Sequence, residues 1–95
     1  MSERKIIGES SVPAFPKGVR LKNDEVRSRW VILAPERMFV LDDIGLAIMQ
    51  RIDGGTAVSG IVDILADTFQ APREQILGDV INMLQDFADK GVIKA

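Results

Sequence analysis

Few side chains in this sequence could carry out chemistry, and their spacing narrows the choice further. Histidine, cysteine and tyrosine are all absent from the 95 residues. The chain therefore lacks a general base that titrates near neutrality, the commonest metal ligand and any thiolate nucleophile. Zinc centres, Ser-His-Asp triads and disulfides cannot be assembled. Carboxylates, lysines and hydroxyls remain. Asp42-Asp43 is an adjacent aspartate pair, but neighbours at a helix start do not converge on one point. Helix capping fits them better than acid–base work or magnesium binding. Gly54-Gly55-Thr56 precedes an apolar helical pattern, as an anion-binding loop would. It lacks the P-loop lysine and the spacing of a dinucleotide fingerprint, so it reads as a helix-to-helix turn. Ser10 and Ser11 have no base to activate them. Such an inventory favours a binding protein over an enzyme, with no catalytic residue and no metal ligand set.

Charge divides the chain. The net charge is -2. Residues 1 to 41 hold eight basic and five acidic residues, and residues 42 to 95 hold four basic and nine acidic. The basic excess sits on Lys17, Arg20, Lys22, Arg27, Arg29 and Arg37. The acidic remainder repels a phosphate backbone. No apolar run approaches the roughly 20 residues of a bilayer span, so no membrane association is expected.

The elements that must position these residues follow from period and punctuation. Residues 1–14 are polar and aperiodic, and read as a flexible N-terminal tail ahead of a single domain over 15–95. Val19 to Lys22 alternates as a half-buried strand does. Trp30 to Leu33 and Met38 to Leu41 are short runs of strand formers, joined by a tight turn with Pro35 at its second position. The period then changes to that of helices. A first helix follows an Asp42 or Asp43 cap, buries Ile44, Ile48 and Ile52, and stops at Asp53-Gly54-Gly55. A second is capped by Thr56 and buries Val58, Ile61, Val62, Leu65 and Phe69. A third has Pro72 in its first turn and runs to about Lys90, with Gly91 ending it. The expected fold class is α+β: a small three-stranded antiparallel sheet followed by three helices, in a winged helix-turn-helix-like arrangement.

Two surfaces stand out: the wide stripe of helix three, which fits either an unusually well buried helix packed on both core and sheet or the border of a groove open to a partner, and the two-faced apolar strands. On helix three, Met83, Ile76, Phe87, Val80, Leu84, Leu77, Ala88 and Ile81 fill an arc of roughly 160°, against the roughly 100° of a one-sided helix. Asp79, Asp86 and Lys90 border it. The second and third strands are apolar on both faces, and helices can cover only one. The tail, a second copy or a partner is left to cover the other. A DNA-binding winged helix is a poor fit, because helix three carries Arg73 and Lys90 against Glu74, Asp79, Asp86 and Asp89. An acidic reading head collects no phosphate contacts. A fold of this kind without basic reading residues suits a peptide or protein docking module.

One family matches these residues in order. Pro35-Glu36-Arg37, Phe39-Val40-Leu41-Asp42, Ile52-Asp53-Gly54-Gly55-Thr56 with Val58 and Ile61-Val62, and Asp79-Val80 with Leu84 and Gly91 resemble the PqqD family over residues 14–95. PqqD proteins are peptide chaperones of pyrroloquinoline quinone biosynthesis, within the recognition elements for ribosomally made, modified peptides (RiPPs). The resemblance implies a cytoplasmic, non-catalytic protein without cofactor. It would bind the precursor peptide PqqA and present it to PqqE, a radical SAM enzyme with iron–sulfur clusters. It further implies that the peptide adds a strand beside the third strand, in the cleft against helix three. Carried onto this sequence, the backbone contacts fall on Arg37, Met38, Phe39, Val40 and Leu41. Helical geometry nominates Ile76, Asp79, Val80, Met83 and Phe87 for the pocket, with Arg37 placed to pair with a peptide carboxylate. A related recognition domain serving another modified peptide, a DNA-binding regulator and a structural homodimer are the alternative readings.

Overall fold

The computed structural model describes residues 6–95. Three strands, β1 (Arg20–Asp24), β2 (Arg29–Ala34) and β3 (Arg37–Leu41), form one antiparallel sheet in the order β1-β2-β3. Three helices follow, α1 (Asp43–Met49), α2 (Val58–Phe69) and α3 (Arg73–Asp89). The α+β order expected from the sequence is the order observed.

Alternation sorts the strand residues onto two faces. Leu21 pairs with Ile32 and Ile32 with Phe39, so these three share the face that meets the helices. Ile32 is fully buried there, in one core with Ile48 of α1, Ile61 and Leu65 of α2, and Val80 and Leu84 of α3. Ala34 and Arg37 close the β2–β3 turn. Pro35 supplies the fixed φ of its second position, and Glu36 takes φ 60° at the third, where a type II turn normally has glycine.

α1 is shorter than its apolar spacing suggests. The Asp42 carboxylate accepts from the Gly45 amide at 2.7 Å and caps the start. The end tightens, because Arg51 and Ile52 donate to carbonyls only three residues back, those of Ile48 and Met49. Ile52 therefore enters the core from beyond the helix, and the buried stripe is Gly45, Ile48 and Met49. Ile44, expected inside, is 38% exposed. On α2 the expected burial of Val58, Ile61, Val62 and Leu65 is observed, but Phe69 is 41% exposed because the last turn runs past the core.

Thr56 does not cap α2. Its amide and hydroxyl both donate to the Asp53 carboxylate. Together with the Gly55 amide, these bonds hold the Asp53 pKa below its usual value. The free N–H groups of α2 are met from far away in sequence: Val58 and Ser59 donate to the carbonyls of Ser11 and Glu9. The N-terminal segment, read as a flexible tail, is thus packed from Ile7 onward, and residues 1–5 lie outside the described part. Ile7 is buried and its amide donates to Gln85 Oε1 at 2.8 Å. Arg73 ties Glu9 to Asp63, at 2.9 and 2.7 Å. Ala14 exchanges backbone hydrogen bonds with Lys94, and the intervening Val92 and Ile93 are buried. Apolar residues at 7, 92 and 93 dock the two ends of the chain against the helices.

Candidate functional site

Among the described residues β3 is an edge strand, with a hydrogen-bonded neighbour on the β2 side alone. β1 is the opposite edge, but Arg20, Lys22 and Asp24 give it the charges that discourage strand pairing. β3 has no charge after Arg37: its other four residues are Met38, Phe39, Val40 and Leu41. Its free main-chain groups thus lie along an apolar edge.

The helix-facing side of β3 meets α3 in a seam built from side chains of both. The Phe39 and Phe87 rings meet edge to face, with centroids 5.4 Å apart and planes at 79°. The Lys90 ammonium lies 5.6 Å from the Phe39 centroid and 5.9 Å from that of Phe87. The Arg37 guanidinium is 5.7 Å from the Phe39 ring. Arg37 Nη1 also donates to the Lys90 carbonyl at 2.9 Å, so a strand residue satisfies the C-terminus of α3. Lys90 is paired in turn with Asp86 at 2.8 Å. At the other end of the seam Met83 reaches α1. A Cβ on Gly45 would lie 2.9 Å from Met83 Cε, 2.9 Å from Asp42 Oδ1 and 3.4 Å from Leu41 Cδ2. Glycine at 45 is what lets α1 pass this close to Met83 and Leu41.

The residues nominated from sequence fall into three groups. Arg37, Phe39, Leu41, Met83 and Phe87 come together along the seam, with Phe87 deeply buried and Met83 half-buried. Met38 and Val40 project to the opposite face of the sheet, because their register partners are Leu33 and Val31 rather than Ile32. They share only the β3 main chain with the seam. Ile76 and Val80 are 4% and 1% exposed and belong to the core, so they offer no open surface. Asp79 is exposed on α3. Two seam residues escaped the sequence reading. Lys90 lies just outside the apolar arc of α3, and Gly45 is a helix glycine whose role depends on a neighbour 38 positions away. Among the described residues, no cluster of acidic side chains could hold a metal ion, and no helix is long and apolar enough to cross a membrane.

Comparison with known proteins places this architecture. Residues 29–93 match the family model described as coenzyme PQQ synthesis protein D, PqqD. A PqqA binding protein of Rhodopseudomonas palustris (strain BisB5) is 50% identical over 94 residues, covering 98% of this chain and 92% of that protein. The bifunctional coenzyme PQQ synthesis protein C/D of Methylorubrum extorquens is 46% identical over 85 residues, which are 90% of this chain and 23% of that longer protein. The solution structure of the PqqD truncation of Methylobacterium extorquens PqqCD is described as a functional and stand-alone RiPP recognition element. It superposes with a TM-score of 0.82 at 44% identity, covering 94% of this chain and 95% of that one. The chain, with its apolar edge strand lying against the last helix, belongs to the PqqD family.

Proposed function

We propose that this protein is the non-catalytic chaperone that binds the precursor peptide PqqA as an added strand beside β3. It then presents the peptide to the radical SAM enzyme PqqE in the cytoplasm. The observation that carries the reading is β3 itself, an apolar and uncharged edge from Met38 to Leu41 beside the Phe39–Phe87–Met83 seam. The main chain of Arg37 to Leu41 would supply strand-pairing hydrogen bonds, and side chains along the seam would select the peptide residues that point inward. Arg37 and Lys90 at one end of the seam favour a peptide carboxylate there. The PqqA binding named for relatives at about half identity supports the choice of ligand. The absence of histidine and cysteine leaves the chain poorly equipped for chemistry of its own.

Amide NMR titration of the labelled protein with synthetic PqqA tests this. Saturable shifts should concentrate on Arg37–Leu41, Met83 and Phe87–Lys90. The reading fails if the peptide, at high excess, moves none of these, both alone and with PqqE present.

A further inference from the structure

The register of β3 fixes which of its main-chain groups are free. Ala34 and Arg37 flank the two-residue turn and pair with each other. A pair in that position exchanges both of its hydrogen bonds, and such pairs alternate along an antiparallel ladder with pairs that exchange none. The N–H and C=O groups of Arg37, Phe39 and Leu41 therefore point at β2, and those of Met38 and Val40 point out of the sheet. No other described segment pairs with them. The open edge is bounded at both ends. Pro35 has no N–H to offer. Past Leu41 the chain turns into α1, where the Asp42 carbonyl accepts from Leu46 at 2.9 Å and its carboxylate from Gly45 at 2.7 Å. The side chains beside this edge are graded in charge. At its start, Arg37 donates to the Lys90 carbonyl and carries no ion pair among the described residues, although Glu36 precedes it in the turn. Lys90 beside it is held by Asp86. At the other end stand Asp42 and Asp43 at the start of α1, and Asp79 one turn before Met83 on α3. Asp42 is committed to its cap, whereas Asp43 and Asp79 are exposed and carry no ion pair among the described residues.

We infer that the added peptide strand is held by the main chain of Met38 and Val40 and fixed in register by charge: an acidic peptide residue seats at Arg37, with apolar residues two and four positions along the strand at Phe39 and Leu41. The inference rests on the peptide-binding role proposed above. Two bonded residues do not set a register by themselves. A slip of two residues restores the same hydrogen bonds and keeps the same side chains turned inward. Side chains must supply the difference. The inward row of the peptide lies opposite Arg37, Phe39 and Leu41 whichever way the strand runs, because paired residues share a face. The Arg37 guanidinium keeps unused donors in a fork that suits a carboxylate, while Phe39 and Leu41 offer apolar surface. An acidic residue slipped to the Leu41 end would instead meet Asp43 and Asp79 and find no counter-charge. Peptide residues opposite Met38 and Val40 turn to the other face of the sheet, so the side chains of the seam do not select them.

Amide hydrogen exchange of the full chain, with and without synthetic PqqA, tests the pairing without any substitution. The Met38 and Val40 amides should exchange freely in the free protein and slow about tenfold or more in the complex, whereas Arg37, Phe39 and Leu41 should be protected before peptide is added. The register is tested with PqqA variants that each replace one acidic residue by lysine, titrated against wild type and Arg37→Glu. One variant should bind the wild type about tenfold more weakly and regain that loss with Arg37→Glu. Alanine at the peptide positions on either side of it should change affinity by less than about twofold. Arg37→Gln, which keeps a donor for the Lys90 carbonyl, should weaken PqqA binding and gain nothing from the lysine variant. If PqqA moves the seam resonances but leaves the Met38 and Val40 amides unprotected, the binding role stands and the inference falls. It falls equally if Arg37→Glu rescues no lysine variant, or if all of them weaken binding alike. A wild type that does not bind PqqA removes the role itself, and the inference with it.

Discussion

The Phe39–Phe87 contact predicts a measurable coupling between the sheet and the helical layer. Alanine at 87 is too blunt a probe: truncating a buried phenylalanine costs about 3–5 kcal/mol, much of the roughly 5–15 kcal/mol that holds a domain together. Leucine at each position removes the ring and keeps most of the apolar volume. An edge-to-face pair contributes about 0.5–1.5 kcal/mol beyond its area, and the 5.4 Å separation with planes at 79° is that geometry. Phe39→Leu and Phe87→Leu each lose the contact, while the double variant loses it once. The double variant should therefore be about 1 kcal/mol more stable than the two single losses added together. At about 2.1 cal/mol/K per residue, 95 residues unfold with an entropy near 0.2 kcal/mol/K, so this is about 5 °C in Tm. Urea unfolding of the four proteins reads it out twice. Fluorescence of the single tryptophan, Trp30 in β2, follows the sheet, and far-UV circular dichroism follows the helices. Additivity to within about 0.3 kcal/mol would refute the reasoning, and the sheet would then rest on the helices through apolar area alone.

Val80→Asp should abolish cooperative unfolding, because a charge at a 1% exposed core position has no partner, whereas half-buried Met83→Asp should stay folded and lose PqqA affinity; circular dichroism and titration separate the two. Gln70→Gly should raise stability by about 0.5–1 kcal/mol, or some 3–5 °C in Tm, since Gln70 ends α2 with φ 52°, a conformation glycine adopts without strain. Asp53 has its pKa lowered from 3.8, first by the Gly55 amide and then by the Thr56 hydroxyl and amide. Its contribution is therefore complete above that value and lost as pH falls below it through the folded pKa, so Asp53→Asn should flatten the loss of stability in that acid range.

The sequence alone was enough for the order of elements, the punctuation between them and most of the core. Alternation over 19–22 and runs of strand formers over 30–33 and 38–41 marked strands, and the spacing of Val58, Ile61, Val62 and Leu65 marked the buried face of α2, because both signals follow directly from local backbone geometry. The lack of histidine and cysteine limits the chemistry open to the chain whatever its fold. Of the seam, Arg37, Phe39, Leu41, Met83 and Phe87 could be nominated from strand register and the width of the α3 stripe. Tertiary packing decided the rest. The pattern put Ile76 and Val80 beside Met83 and Phe87 on one stripe. Which part of that stripe faces the core and which part lies along β3 depends on where the sheet crosses α3, a contact between residues about 48 positions apart. Lys90 joined the seam because Arg37 reaches its carbonyl across 53 positions. The N-terminal segment looked free because its order comes from helix-capping carbonyls, the Glu9–Arg73 ion pair, the Ala14–Lys94 pairing and a buried Ile7, none of which has a period. Local physics writes a repeating signal into a sequence; single contacts between distant segments do not, and this site and this N-terminus are made of such contacts.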